Sequence, residues 1–202
     1  MTETEGVIRF QCTLERESPA PAPGILAEIN RWRDAMMRRG WMGRDHSRYG
    51  GLGFGNISLR TPEGFLVSAT QTGGLPRLGV ADVALVTDAE PAANRLAARG
   101  LARPSSEAMT HAAIYAAVAH AGGVIHVHAP ALWREAARLG LPVTNPSILY
   151  GTPAMAAAIA SLATQGHRLI AMGGHEDGIL AWSEDLASAA GLLERTGKVC
   201  EQ

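Results

Sequence analysis

The chain has 202 residues and a mass of 21.2 kDa, with 18 lysines and arginines against 19 aspartates and glutamates. This balance argues against a basic nucleic-acid face or a polybasic membrane patch, and 5% aromatic residues are too few to stack single strands. Hydrophobic residues make up 47% of the chain, enough for a buried core. We therefore expect one domain over 1–202, with an N-terminal arm over 1–23.

Short strands and one helix are predicted for the first half of the chain. Apolar residues at helical spacing, followed by Gly40, indicate the helix, and the turn composition of 61–64 indicates a hairpin. In chain order the predicted elements are a strand over 7–12, an extended segment over 18–24, the helix from 25, a Gly-rich loop over 44–55, a hairpin of 56–60 with 65–69, and a strand over 83–87.

The second half of the chain mixes helices and strands without a regular βαβ alternation. The predicted elements are helices over 105–119, 131–139, 153–163 and 184–199, a strand over 124–128, and paired strands over 168–173 and 179–183. A stretch of polar residues precedes the first of these helices. This order predicts an α/β fold, namely a three-layer α/β/α sandwich on a central mixed, mostly antiparallel sheet.

The sequence predicts a cytoplasmic protein. Its first residues do not form a basic region followed by an apolar one, so no signal peptide is expected. The most apolar stretch, 112–132, contains three histidines, which a membrane span would not tolerate cheaply. Cys12 and Cys200 form no CxxC motif, which excludes a thiol redox pair, and we expect two reduced thiols.

Two histidines lie close together in a predicted strand. His126 and His128 project from the same face of that strand, because side chains alternate with a period of two, and both could reach one ion. Neutral imidazoles buried there would need partners for their ring nitrogens, and a divalent metal would supply one. The alternative at this point is a pair of hydrogen-bonded structural histidines.

A further histidine and a glutamate are also candidate site residues. His175 lies in a glycine-rich turn, which suits a metal ligand but equally an exposed hairpin histidine. Glu107 follows Ser105 and Ser106, the predicted N-cap residues of a helix, where a carboxylate is favourable even without a catalytic role. His111, four residues later, either orients Glu107 or is a buried core histidine.

Taken together, the motifs resemble the class II aldolase/adducin family, which includes fuculose-phosphate and rhamnulose-phosphate aldolases and ribulose-phosphate 4-epimerase. The resemblance runs from about 55 to 194. It is carried by the segments Gly55-Asn-Ile-Ser58, Thr70-Gln-Thr-Gly73, Pro104-Ser-Ser-Glu107 with His111 and Tyr115, His126-Val-His128, Tyr150-Gly-Thr-Pro153 and Gly174-His175. The PSSE motif followed about twenty residues later by HxH is the specific part.

The resemblance implies a metal site and an anion site. The metal is most often Zn²⁺, with Mn²⁺, Co²⁺ or Fe²⁺ as alternatives, and its ligands would be His126, His128 and His175, with Glu107 as a nearby ligand and the catalytic acid/base. The implied phosphate-binding residues are Asn56, Thr72, Gly73, Ser105 and Ser106. A helix N-terminus at the two serines would attract an anion, either a phosphate or a carboxylate.

The implied activity is that of a metal-dependent aldolase. It would make or break a carbon–carbon bond through a metal-stabilised enediolate, on a small sugar phosphate or hydroxy-oxo-acid, in a homotetramer with sites between subunits. A 4-epimerase or dehydratase on the same site, and a non-catalytic adducin-like binding module, are the alternatives.

Two features depart from the family pattern, and one loop resembles no specificity element of the family. The sequence reads Gly-His-Glu-Asp-Gly over 174–178 where the family commonly has Asn-His-Gly, and Ala129 replaces a hydroxyl residue. Glu176 and Asp177 are then either partners of His175 or an added acid/base. Residues 41–53 form either ordinary surface or a substrate-facing lid.

Overall fold

The computed structural model describes residues 6–22 and 24–200; residues 1–5 and 23 of the predicted arm lie outside this range. Its centre is an eight-stranded sheet in the order β1-β7-β6-β5-β4-β8-β10-β9. The strands of this sheet are β1 (Gln11–Glu15), β4 (Asn56–Thr61), β5 (Gly64–Ser68), β6 (Val83–Glu90), β7 (Arg95–Gly100), β8 (Gly123–His128), β9 (Leu169–Ala171) and β10 (Gly178–Ser183). A separate two-stranded ladder consists of β2 (Gly43–Arg44) and β3 (Gly53–Phe54).

Strand directions in the large sheet confirm a mixed, mostly antiparallel arrangement. Strand β1 runs parallel to β7. The other neighbouring strands of this sheet pair antiparallel to one another. The predicted hairpin forms β4 and β5, and the predicted pair of late strands forms β9 and β10.

Helices cover both faces of the sheet, which confirms the three-layer sandwich. They are α1 (Ile25–Arg38), α2 (Ala108–Ala117), α3 (Pro130–Glu135), α4 (Pro153–Thr164) and α5 (Leu186–Cys200). One apolar core contains residues of α2 and α4, and a second contains residues of α1, α3 and α5. Each core also takes the inward side chains of one sheet face, because successive strand residues point in opposite directions.

Three predicted elements differ from those observed. The first strand begins at Gln11 instead of residue 7, and helix α2 begins at Ala108 with Glu107 as its N-cap residue, so the predicted serine N-caps are wrong. The strand Arg95–Gly100 was not predicted from its polar sequence. Its buried positions hold Leu96, Ala98 and Gly100, none of which is β-branched, and the intervening Ala97 is also apolar, so the period-two pattern is weak.

The alternation along β8 positions the candidate histidines. Ile125 and Val127 belong to the core with α1, α3 and α5, whereas Val124 belongs to the core with α2 and α4. His126 and His128 therefore point toward the face that carries α2 and α4.

Two further sequence predictions concern thiols and membranes. Neither Cys12 nor Cys200 is paired in a disulfide bond. Among the described residues, no helix combines the length and the apolar character needed to cross a bilayer.

Candidate metal centre and anion pocket

Three histidines from separate parts of the chain meet beside the end of β8. His126 and His128 come from this strand, and His175 comes from the turn that precedes β10, the antiparallel neighbour of β8. Each offers a ring nitrogen, and these atoms all lie within 4.8 Å of one another. All three side chains are buried. The structure thus brings together the three histidines that the sequence analysis singled out as ligands.

The electrostatics of this cluster fit a divalent cation. Burial lowers the pKa of His126 and of His128 well below the usual 6.5, and the neighbouring imidazole of His175 lowers both further. The rings of His126 and His128 are therefore neutral at pH 7, which is the form that binds metals. Within the described residues, neither ring nitrogen of His126 has a well-formed hydrogen bond. The ring makes only a weak contact with the Ile179 backbone. Imidazole nitrogens are favoured ligands of zinc and related ions, so the cluster can hold one.

The turn that carries His175 is held close to its neighbours. A Cβ atom at Gly174 would lie 1.8 Å from the carbonyl oxygen of Ile148, so only glycine fits at this approach. The Tyr150 ring stacks on the imidazole of His175, with the centroids 4.4 Å apart. Asp177 has a left-handed backbone, with φ of 63°, which places its side chain outside the regular strand. These contacts fix the orientation of the third imidazole.

The Gly-rich loop between α1 and β4 reaches the histidine cluster. The Tyr49 ring contacts that of His128 edge-on, with the centroids 4.5 Å apart, and its hydroxyl donates a hydrogen bond of 2.6 Å to Asp177 Oδ2. Arg48 in turn donates to the Tyr49 hydroxyl. Tyr49 also has a left-handed backbone. The interpretation of this loop as ordinary surface is therefore wrong for Tyr49. In the turn that carries His175, Glu176 is exposed.

Glu107 is buried at the start of α2. The residue is 1% exposed, and its Oε2 accepts a hydrogen bond of 2.7 Å from the Thr110 hydroxyl. Among the described residues, the cluster of mutually close ligand atoms contains the three histidines and does not include Glu107. Its roles as a ligand and as an acid/base therefore remain predictions.

His111 is a core histidine that takes part in a buried polar network. Its Nδ1 lies 2.7 Å from the Ser58 hydroxyl, which is 2.9 Å from the Tyr115 hydroxyl. Burial lowers the pKa of His111 to about 3. The contact with Ser58 favours the interpretation of this residue as a core histidine over the one in which it orients Glu107.

The buried, neutral His111 makes the stability of the metal-stripped protein dependent on pH. The unfolded chain binds more protons than the folded one between pH 3 and 6.5, because the folded pKa is depressed from 6.5 to about 3. Lowering the pH from 7.5 to 5.5 should therefore remove about 1 kcal/mol of unfolding free energy through this residue. Urea denaturation at both pH values, for the wild type and His111→Gln, measures it. An equal loss in both proteins would contradict the assignment.

A small polar pocket lies next to the histidine cluster. It is lined by all the residues for which an anion-binding role was predicted, namely Asn56, Thr72, Gly73, Ser105 and Ser106. The pocket adjoins the cluster because Asn56 of β4 is the register partner of His126 in β8. Glu107 follows the lining residue Ser106 directly in the chain but is not itself among the lining residues.

A buried arginine supports the pocket from behind. Arg33 of α1 is 1% exposed and donates hydrogen bonds of 2.6 and 2.7 Å to the carbonyl oxygens of Thr72 and Gly73. Burial lowers the pKa of Arg33, with Asp82 and Asp34 opposing this shift. The guanidinium fixes the backbone of the loop and places a positive charge close to any bound anion. The sequence analysis missed Arg33, although a charged residue on the apolar stripe of α1 was an available signal.

Comparison with known proteins agrees with this arrangement. The family model described as Class II Aldolase and Adducin N-terminal domain matches residues 42–202. The chain belongs to the class II aldolase and adducin family. Among curated protein sequences, none is significantly similar to it.

Several solved structures, among them two aldolases, resemble most of the chain in fold. The L-fuculose-1-phosphate aldolase of Thermus thermophilus is 19% identical, with a TM-score of 0.69, and the match covers 88% of this chain and 91% of that one. YgbL of Escherichia coli, for which aldolase, epimerase and decarboxylase activities have been suggested, is 21% identical, with a TM-score of 0.65 and coverage of 88% and 87%. The sugar-phosphate aldolase of Thermotoga maritima is 17% identical, with a TM-score of 0.67 and coverage of 88% and 92%. At these identities the similarity is one of fold.

Proposed function

We propose that this member of the class II aldolase and adducin family is a metal-dependent aldolase, that is, a lyase. It would make or break a carbon–carbon bond in a small sugar phosphate or hydroxy-oxo-acid. The observation that carries the proposal is the convergence of three buried histidines, one of which is the register partner of a residue that lines the polar pocket. A buried glutamate, Glu107, directly follows another lining residue, Ser106, in the chain. The aldolases among the similar structures support it.

The metal ligands in this proposal are His126, His128 and His175, with Glu107 as an additional ligand. Zn²⁺ suits this donor set best, and Mn²⁺, Co²⁺ and Fe²⁺ are the alternatives. A bound divalent ion supplies Lewis-acid polarisation of a substrate carbonyl and stabilises the negative charge that develops on it. The chain holds its ligands in advance, because the Tyr150 ring and the Gly174 turn fix the His175 ring.

Glu107 is the proposed acid/base. Its place at the N-cap of α2 and its hydrogen bond from Thr110 hold the carboxylate in one orientation. From there it would move a proton to or from the substrate carbon next to the carbonyl. Burial of the residue excludes bulk water from this transfer.

The polar pocket is the proposed anion-binding site. Ser105 and Ser106 lie just before α2, where the backbone N–H groups and the helix dipole attract a phosphate or a carboxylate. Asn56, Thr72 and Gly73 complete the lining. An anion bound there would orient the reactive carbonyl of the substrate toward the histidine cluster.

A 4-epimerase or a dehydratase is the second candidate, and the Tyr49–Asp177 pair favours considering it. Epimerisation by bond cleavage and re-addition needs a proton carrier on each side of the substrate. Tyr49 contacts His128, whereas the pocket residue Asn56 pairs with His126, so the Tyr49–Asp177 pair and the pocket are next to different histidines. An epimerase activity is also among those suggested for the similar YgbL structure. The products distinguish these reactions.

Product analysis of the zinc- or manganese-loaded protein tests the proposal. We expect ketose 1-phosphates or 2-oxo-acid aldols to release two fragments, which mass spectrometry and an aldehyde-coupled assay would detect. Unchanged mass with inverted stereochemistry would assign an epimerase, and loss of water a dehydratase. A protein that carries no metal when prepared without chelators, and that cleaves none of these compounds, would instead fit a non-catalytic binding module.

The proposed assembly is a cytoplasmic homotetramer with sites near subunit contacts. Leu101 and Leu149 are 48% and 49% exposed, which is high for large apolar side chains. Leu149 precedes Tyr150, the ring that stacks on His175, so a neighbouring subunit that covers Leu149 would also approach the site.

A further inference from the structure

Arg48 places a cation at the edge of the histidine cluster. Its guanidinium carbon lies 4.8 Å from the centroid of the Tyr49 ring and 5.1 Å from that of Phe54. Both rings in turn contact that of His128, with centroid distances of 4.5 and 5.5 Å. The charge of Arg48 is close enough to contribute to the lowered pKa of His128. Arg48 is thus one aromatic layer from a proposed metal ligand.

The hydrogen-bonding capacity of Arg48 is mostly unused within the described residues. Its Nη2 donates to the Tyr49 hydroxyl, and the same nitrogen is 3.6 Å from Asp177 Oδ2, which is longer than a hydrogen bond. Asp177 Oδ2 already accepts the Tyr49 hydroxyl at 2.6 Å. The side chain of Arg48 is 29% exposed, and its Nε and Nη1 groups remain available as donors.

The polar pocket and Arg48 are each linked to a different histidine of the cluster. Asn56, which lines the polar pocket, pairs in register with His126. His128 lies two residues further along β8, about 6.6 Å at the rise of a strand. The Arg48 guanidinium lies over the Tyr49 and Phe54 rings, which contact His128. An extended substrate anchored in the pocket would pass the histidines and then reach Arg48.

We propose that Arg48 binds a carboxylate of the substrate, so that the substrate carries an anionic group at each end. This inference rests on the proposed function, since it takes the polar pocket as the first anion site. Arg48 and the phenol of Tyr49 would then select phosphorylated hydroxy- or oxo-acids over phosphorylated sugars that end in an alcohol.

A carboxylate suits this position better than a second phosphate. The planar guanidinium fork matches the two oxygens of a carboxylate, and the aromatic contacts with Tyr49 and Phe54 hold its plane in place. The Asp177 carboxylate, 3.6 Å away, repels a doubly charged phosphate more strongly than a singly charged carboxylate.

Binding of two matched probes tests the inference without any reaction. The probes are 4-phosphooxybutanoate and 4-hydroxybutyl phosphate, which differ only in a terminal carboxylate or alcohol. Isothermal titration calorimetry would compare the zinc-loaded wild type with Arg48→Gln. The wild type is expected to bind the acid about tenfold or more tightly than the alcohol, the usual size of a charged hydrogen-bonded contact. Arg48→Gln should lose this preference while its affinity for the alcohol stays the same.

Two further variants and a metal-free arm complete the test. Arg16→Gln removes an exposed arginine just after β1, at the far edge of the sheet, and should behave as the wild type. Arg48→Lys keeps the charge without the fork and should keep part of the preference. The inference is overturned if Arg48→Gln keeps the full preference, or if the preference depends on zinc and not on Arg48, since the carboxylate would then bind at the histidines. Failure of both probes to bind overturns the anion pocket and this inference together, whereas an absent metal contradicts the metal centre alone.

Discussion

His126→Ala is expected to lose the metal and, with it, catalytic turnover. His126 offers one of three ring nitrogens that lie within 4.8 Å of one another, and a site reduced to two buried imidazoles no longer surrounds a cation. We expect the metal content to fall from about one ion per chain to less than about a tenth, and turnover to fall ~10³-fold or more. Inductively coupled plasma mass spectrometry of protein purified without chelators measures the metal.

The control for this variant is His167→Ala. His167 is an exposed histidine in the loop before β9, so its removal changes the histidine count without touching the cluster. This control should keep both the metal and the activity. Normal metal content in a folded His126→Ala protein, as judged by circular dichroism, would refute the assignment of His126 as a ligand.

Glu107→Gln is expected to keep the metal and lose turnover. The amide has the shape of the carboxylate and still accepts the hydrogen bond from Thr110, so the buried start of α2 stays intact. An amide cannot carry the proton, and loss of a general acid/base lowers the rate by about 10²–10⁴-fold. Steady-state kinetics on the substrate found in the product screen would show the fall in kcat, with little change in KM.

Glu176→Gln is the matched control for Glu107. Glu176 is an exposed carboxylate in the turn of His175, so it has the same chemistry near the same site without burial. We expect its kcat to remain within about twofold of the wild type. Full activity in Glu107→Gln would remove this glutamate from the mechanism, and loss of activity together with loss of metal would assign it a ligand role only.

The parts of the site that depend on local periodicity could be predicted from the sequence. His126 and His128 share a face because strand side chains alternate, and the glycines around His175 indicated a turn with close backbone contacts. The conclusion that His175 joins the other two required the family resemblance, because the pairing of β8 with β10 is a long-range contact with no local signal. The layered fold, by contrast, could be predicted from the order of helices and strands along the chain.

The residues that the sequence analysis missed depend on contacts between distant segments. Tyr49 is 128 positions from Asp177, the residue to which it donates a hydrogen bond, and its left-handed backbone is rare for a bulky residue. The spacing of α1 places Arg33 on its apolar stripe, but the partners of its guanidinium come from the distant loop of Thr72, which has no local signal. Strand β7 was missed because none of its buried residues is β-branched and apolar Ala97 interrupts the alternation of apolar and polar residues.

The central claim is that three imidazoles bind one divalent ion. X-ray absorption at the metal edge tests it on protein purified without chelators. The account predicts about one ion per chain, with scattering from about three imidazole nitrogens at roughly 2.0–2.1 Å if the ion is zinc. A protein that takes up no ion, or an ion whose neighbours include no histidine nitrogen, would contradict it.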